Sequence, residues 1–258
     1  MNVKGKRVLL TGAAGGLGEL TAKTLADAGA TLILSSRNEE KLNELAASLP
    51  GGPHEVVAQD LDQPGAAAQV VERAGDVDIL IANAGRPGGW ALDETPADEI
   101  TSVIRVNFET PIQMAKAVVP QMKQRGSGQI VLISSLAGKF ALPDSTMYSS
   151  TKSGLRAFGW ALRPELAKHG VAVTIVTPGF IGEVGMFAKR GRKAPPFAGI
   201  VPPETYAKKL LAGIEKDADE ITIARPQLRV LSQVAVLAPG ILAKAFAKAA
   251  PQRRPAGE

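Results

Sequence analysis

Tyr148 and Lys152, in the stretch Tyr148-Ser149-Ser150-Thr151-Lys152, are the residues whose types and spacing point most directly to chemistry. On a helix, positions i and i+4 lie on one face, one turn apart. The spacing therefore sets a phenol beside an ammonium. A phenol with an ordinary pKa of about 10 is a poor acid or base at neutral pH. A cation held within a few ångströms favours the phenolate and lowers that value. Such a pair could pass a proton to or from a substrate oxygen. Alone the spacing says little, because two polar residues one turn apart also describe an ordinary solvated helix face. Its meaning depends on the elements that position it.

The first of these elements lies near the start. Val8-Leu9-Leu10 reads as a buried parallel strand and ends in Thr11-Gly12-Ala13-Ala14-Gly15-Gly16-Leu17-Gly18. A helical pattern follows through Leu20, Thr24, Leu25 and Ala28, with Gly29 as a C-cap. Strand, glycine loop and helix together are the context of a dinucleotide site. Glycines let the backbone approach a pyrophosphate, and the free N–H groups of the helix N-terminus bind its charge. A Gly-rich turn without a ligand is the plainer alternative.

The next strand, Thr31-Leu32-Ile33-Leu34, runs out at Ser35-Ser36-Arg37. An NAD site usually carries an acid here for the ribose 2′-hydroxyl. A hydroxyl and a fixed cation suit a 2′-phosphate instead, so Ser36 and Arg37 predict NADP(H) over NAD(H). The alternative is that Arg37 is a surface charge beside Glu39 and Glu40.

Strand and helix then alternate. Asn38 caps a helix to about Leu49, and a strand over 55–58 leads to Asp60-Leu61-Asp62. A carboxylate there could meet an adenine amino group, or Asp62 could cap the short helix that runs to about Ala74. The strand 78–81 ends at Asn83-Ala84-Gly85, followed by a Gly/Pro loop over 86–93 containing Trp90. Helices are predicted over 96–106 and 111–125, with Asn107 between them as a turn former or a site residue. A fifth strand, 128–133, ends at Ser134-Ser135; Tyr148 opens a helix to about His169; a sixth strand covers 171–176. Pro178-Gly179 begins an irregular stretch to about Pro203, of the kind that forms lids and binding loops. A helix over 204–215 and a strand over 220–223 close the core. This alternation predicts an α/β fold: a doubly wound, mainly parallel seven-stranded sheet flanked by helices.

Composition narrows the partners. The 258 residues fit one large α/β domain, and the absence of cysteine excludes disulfides and thiolate metal sites. That suits a reducing cytoplasm. No metal site is expected. A net charge of +5 without a basic stripe interleaved with aromatics argues against nucleic acid. The basic run 189–193 could meet an acidic substrate, but such runs are more often solvated loops.

These motifs, taken in order, resemble the short-chain dehydrogenase/reductase family over roughly residues 5 to 225. Thr11-Gly12-x-x-x-Gly16-x-Gly18 looks like its cofactor loop, and Asn83-Ala84-Gly85 like its sheet-stabilising motif. Asn107, Ser135, Tyr148 and Lys152 fall where the family carries its catalytic tetrad. The resemblance implies a single-domain Rossmann fold over 1–225 and hydride transfer between NADP(H) and a carbonyl or secondary alcohol. Tyr148 would be the proton donor or acceptor, and Lys152 would lower its pKa and bond the nicotinamide ribose. Ser135 would hold the substrate oxygen, with Ser134 supporting the loop, and Asn107 would anchor a water that resupplies protons. Around the cofactor it places Gly12, Ala14, Gly16, Leu17 and Gly18; Ser36 and Arg37; Asp60 and Leu61; and Asn83, Ala84 and Gly85. Tyr148, Lys152, Pro178, Gly179 and Ile181 complete that set. It also implies a homodimer or homotetramer, paired through the helices over 107–125 and 148–169.

Two features stand apart from the family pattern. Where the family usually has a threonine for the nicotinamide carboxamide, this chain has Glu183. A C-terminal extension, 226–258, carries an apolar series from Leu228 to Phe246, broken at Pro239-Gly240 and flanked by basic residues. It is too short and interrupted to span a bilayer. Packing on the core or on a second subunit is favoured over contact with an anionic membrane surface or the guarding of an apolar channel. Two other functions share these motifs: a non-catalytic NADP-sensing or interaction protein, and an epimerase or dehydratase of the sugar-nucleotide group. An NAD-dependent alcohol dehydrogenase is the cofactor alternative.

Overall fold

The computed structural model describes residues 1–88, 91–141, 145–182, 184, 198–240 and 244. Seven strands form one sheet in the order β3-β2-β1-β4-β5-β6-β7, and every pairing is parallel. They are β1 (Arg7–Thr11), β2 (Thr31–Ser36), β3 (Glu55–Ala58), β4 (Ile79–Ala82), β5 (Gly128–Ile133), β6 (Val171–Pro178) and β7 (Glu220–Ile223). The sheet was expected to be mainly parallel; it is wholly so.

Helices α1 (Gly16–Asp27), α2 (Glu39–Ser48) and α7 (Pro203–Glu215) cover one face, and α3 (Ala66–Ala74), α5 (Thr110–Arg125) and α6 (Thr146–Ala167) the other. Both faces are buried, which is why the strands read as continuous apolar runs. Successive residues alternate between two cores. Val8 and Leu10 pack with Leu25, Leu34 and Tyr206 on one side. Leu9 packs with Ile33, Val70, Met114 and Leu155 on the other. Asn38 caps α2 as expected, its side chain accepting the Lys41 N–H at 2.9 Å.

Three boundaries differ from the sequence expectation, each for a physical reason. The helix pair expected over 96–106 and 111–125 is one continuous run: α4 (Ala97–Ile104), a π-helical turn (Arg105–Glu109) and α5. Asn107 therefore forms no turn. Pro111 lies in the first turn of α5 and has no N–H to offer the carbonyl four residues back, that of Asn107. The ladder widens to the π pattern around that residue. Second, β6 runs to Pro178, because Thr177 and Pro178 pair with Thr222 and Ile223 of β7. Third, Asp62 does not cap α3, whose N-cap is Gly65.

The extension is helical over Pro226–Leu237, here α8. Leu228 and Ala235 pack inward against Leu136, Phe140 and Ala224, while Val230, Val234 and Leu237 face out. Among the described residues, no helix is long and apolar enough to cross a membrane.

Candidate active site

Strand order reverses at β1, which pairs with β2 on one edge and β4 on the other. In open α/β sheets ligands bind at the carboxyl ends of the strands beside such a switch point. The glycine loop sits there. Gly12 has φ +65°, and a Cβ on it would lie 2.9 Å from the Ala84 Cα. A Cβ on Gly18 would lie 2.8 Å from the Ala13 carbonyl oxygen and closer still to that of Gly12. Both positions require glycine. Gly15 caps α1 with no side-chain bond, so the first N–H groups of the helix point into the loop.

The loop is held from β4. The Asn83 amide donates to the carbonyls of Thr11 (2.9 Å) and Gly12 (3.3 Å). The N–H groups of Asn83 and Ala84 both donate to the Thr11 hydroxyl at 3.1 Å. Asn83 is thus a brace for the glycine loop, and Thr11 is its organising hydroxyl.

At the end of β2, Ser36 is half-buried and Arg37 exposed. Arg37 forms no ion pair with Glu39, Glu40 or any other described residue, which leaves its guanidinium free for a ligand anion. The Asp60 carboxylate accepts the Asp62 N–H at 3.1 Å. The Leu61 side chain is buried in the core. Asp62 instead takes the Ser102 hydroxyl at 2.5 Å and the guanidinium groups of Arg86 (3.3 Å) and Arg105 (3.5 Å).

The tetrad residues come together beyond β4 and β5. Ser135 follows β5 and accepts the Ala137 N–H at 3.1 Å. It also hydrogen-bonds the Tyr148 phenol. Ser134 donates its hydroxyl to the Lys152 carbonyl at 2.8 Å. Lys152 is buried, and its ammonium donates to the Ile133 carbonyl at 2.8 Å, 5.9 Å from the centre of the Tyr148 ring. Asn107 is fully buried. Its amide donates to the Arg86 carbonyl (2.8 Å) and the Thr151 hydroxyl (3.3 Å), and its carbonyl accepts the Arg86 N–H (2.6 Å). That fixes the segment after Gly85 and ties the π turn to α6 one residue from Lys152.

Electrostatics depart from the simple pairing argument. Burial raises the Tyr148 pKa, opposed by the Ser135 hydrogen bond. Burial lowers that of Lys152 to about 8. The expected depression of the phenol by the ammonium is absent because desolvation dominates and Lys152 is directed at a main-chain carbonyl.

Pro178 ends β6, and the N–H of Gly179 after it donates to the Ile223 carbonyl at 2.9 Å. Ile181 pairs with Val201. Glu183, Trp90, the basic run 189–193 and the chain beyond 244 lie outside the described residues. Among the described residues no group of acids and histidines could hold a metal. Thr151 and Arg86 are site residues that motif spacing did not single out; only the structure shows their bonds to Asn107. Thr11 opens the glycine motif, but its bonds to Asn83 and Ala84 are visible only in the structure.

A glycine loop braced at the switch point, with a Ser–Tyr–Lys group beside it, defines an NAD(P)-binding oxidoreductase of Rossmann type. The family pattern described as short chain dehydrogenase matches residues 6–194, and the chain belongs to the short-chain dehydrogenase/reductase family. It is 33% identical over 271 residues to dehydrogenase/reductase SDR family member 7B of Bos taurus, covering 98% of this chain and 83% of that protein. It is 33% identical over 225 residues to the ketoacyl reductase HetN of a Nostoc species, covering 85% of this chain and 78% of the relative. Among solved structures, a short-chain dehydrogenase from Burkholderia cenocepacia in complex with NADP superposes with a TM-score of 0.81 at 26% identity, covering 95% of this chain and 99% of that one. One from Sphingobium yanoikuyae in complex with NADPH gives 0.79 at 26% identity, covering 98% of each chain.

Proposed function

We propose that this dehydrogenase/reductase transfers hydride between NADP(H) and the carbonyl or secondary alcohol of an apolar small molecule. The observation that carries the reading is the Ser135–Tyr148 hydrogen bond beside buried Lys152, at the strand ends that hold the glycine loop. The bound nicotinamide supplies or accepts the hydride. In the reductive direction Ser135 donates a hydrogen bond to the carbonyl oxygen, and Tyr148 gives that oxygen its proton. A phenol with an ordinary pKa of about 10 carries its proton at neutral pH, so Tyr148 holds the proton it gives. Lys152 and a water anchored by Asn107 would pass a replacement proton from solvent to the phenol.

The free Arg37 beside Ser36 supports NADP(H) as the preferred cofactor. The apolar surroundings of Ser135 support the substrate class: Leu136 follows it and packs in one cluster with Phe140, Phe180, Leu228 and Leu231. The inward packing of α8 supports a wall of the same domain rather than a membrane element. The family's usual pairing through α5 and α6 supports a homodimer or homotetramer.

The test is NADPH oxidation across a panel of apolar ketones. Tyr148→Phe should abolish turnover, by about 10²-fold or more, while NADPH affinity changes little. Unchanged turnover in that variant sinks the assignment. NADPH binding without turnover of any ketone would favour a sensing protein.

A further inference from the structure

The catalytic helix carries a stripe that extends beyond its family residues. Tyr148, Lys152, Arg156 and Trp160 recur every fourth position and lie on one face of α6. The first two reach the site. The last two converge on a single carboxylate, that of Glu220 at the start of β7. Arg156 binds it through Nη2 (2.8 Å) and Nε (3.0 and 3.2 Å), and the Trp160 indole N–H donates to it at 3.2 Å.

The same carboxylate holds a second element. Lys139 Nζ lies 2.9 Å from it, with side-chain exposures of 2% for Lys139 and 10% for Glu220. A lysine this deeply buried needs an anionic partner. Lys139 stands four residues after Ser135, directly after the short 3-10 turn Leu136–Gly138 that Ser135 caps. The turn is pressed on α6: a Cβ on Gly138 would lie 2.7 Å from the Lys152 carbonyl oxygen, and the Gly138 carbonyl accepts the Ser153 hydroxyl at 3.1 Å. A third link runs to β6. Lys139 Nζ also donates to the Thr222 hydroxyl (2.7 Å), which accepts from Thr177 at 3.0 Å, next to Pro178-Gly179.

We infer that Glu220 is a positioning residue: by gripping Lys139 and Arg156 together, it sets the Ser135 loop and the Tyr148 helix at the separation that the Ser135–Tyr148 contact requires. The inference rests on the reductive reading of the site, yet Glu220 touches neither substrate nor cofactor. Its grip works through charge. Both elements that meet at the reacting oxygen, the Ser135 loop and the Tyr148 helix, are tied to one edge strand by ion pairs of a largely buried carboxylate.

The experiment compares Glu220→Gln and the double variant Lys139→Met/Glu220→Gln with the unaltered chain. The double variant leaves no lysine stranded in the interior, so it keeps the test open if the single variant folds poorly. In both, kcat for ketone reduction should fall about tenfold, with the KM for NADPH within about twofold, because a loosened pair loses alignment rather than cofactor contacts. A second readout needs no turnover. The chain has two tyrosines, Tyr148 and Tyr206, so ¹³C-labelled tyrosine gives two ring signals, assigned by Tyr206→Phe. Loss of the Ser135 bond should move the Tyr148 titration upward by about half a unit or more. Unchanged kcat together with an unmoved Tyr148 titration in the folded double variant overturns the inference. So does an equal loss of NADPH binding and kcat, which would mean general loosening. If the unaltered chain reduces no ketone, the functional reading fails and the Tyr148 titration alone decides on Glu220.

Discussion

At the scale of single residues, the site works by burial as much as by contact. Lys152 is 2% exposed, and its proton is held only to about 8 instead of the ordinary 10.5. Between those values the unfolded chain binds the proton and the folded chain does not, so the fold gains stability as pH rises through that window. From about pH 7 to about pH 10 the gain should be on the order of 2 kcal/mol relative to Lys152→Met. Tyr148 acts in the opposite sense. Its folded pKa is raised, so its contribution is present below about 10 and is lost at higher pH. Urea unfolding of both chains across pH checks the lysine effect; parallel curves would refute it. Arg37 offers a simpler test. On the NADP(H) reading, Arg37→Ala should weaken NADPH binding about tenfold or more and leave NADH binding nearly unchanged, since NADH has no 2′-phosphate for the guanidinium to hold. Isothermal titration with both cofactors measures this directly, and tighter NADH binding by the unaltered chain would show the reading of Ser36 and Arg37 to be wrong. The residue types and spacings of the tetrad were legible in the sequence, because i,i+4 spacing and strand-end position are local properties. The direction of the Tyr148 shift was not, because desolvation depends on what packs around the ring.

At the scale of elements, the β1–α1 glycine loop and the start of α1 fit tightly together. Gly18→Ala would place a methyl against the carbonyls of Gly12 and Ala13. The start of α1 must then move away from the loop, and NADPH affinity should fall about tenfold or more as the N–H groups lose their aim. The overall circular dichroism should hold. Cofactor fluorescence titration reads the loss, and unaltered affinity would show that the close approach is not needed. The strand-loop-helix order and Asn38 cap were readable from the sequence because each depends on neighbours within a few residues. The π turn was not. Pro111 announced a helix start, and only tertiary bonds from Asn107 to Arg86 and Thr151 reveal why the helix continues through it. Glu220 was equally hidden: its partners Lys139 and Arg156 are distant in the chain, and nothing in the strand it opens marks it.

At the scale of the whole molecule, charge and apolar surface are unevenly placed. Of 30 basic and 25 acidic residues, the last 34 positions hold six and one, leaving 24 of each before Arg225. The body is electroneutral and the end is cationic. Within that end α8 is fastened to the site side by Leu228, which is 2% exposed. Leu228→Ala should lower unfolding stability by roughly 2–4 kcal/mol through the lost contacts and the cavity left beside Leu136 and Phe140. Chemical denaturation measures it; a loss under about 0.5 kcal/mol would show that α8 is not part of the cooperative unit. The sequence marked this segment as apolar and basic, but which of its faces turns inward depends on the Leu136 and Phe140 surface, which no local pattern displays.

The bracing of the glycine loop from β4 has a consequence for how the chain acquires its ligand during synthesis. The first βαβ unit, through β2, already contains Gly12, Gly16, Gly18, Ser36 and Arg37. Yet the open edge of β1 is paired, and the Asn83 brace on the Thr11 carbonyl is in place, only when Ile79–Asn83 has been made and has crossed back over the sheet. An N-terminal nascent chain therefore exposes an unpaired strand edge and an unfinished nucleotide cradle for more than forty residues of elongation beyond Ser36. A nucleotide held at this loop would stabilise the chain chiefly once the long-range closure of β1 on β4 is complete.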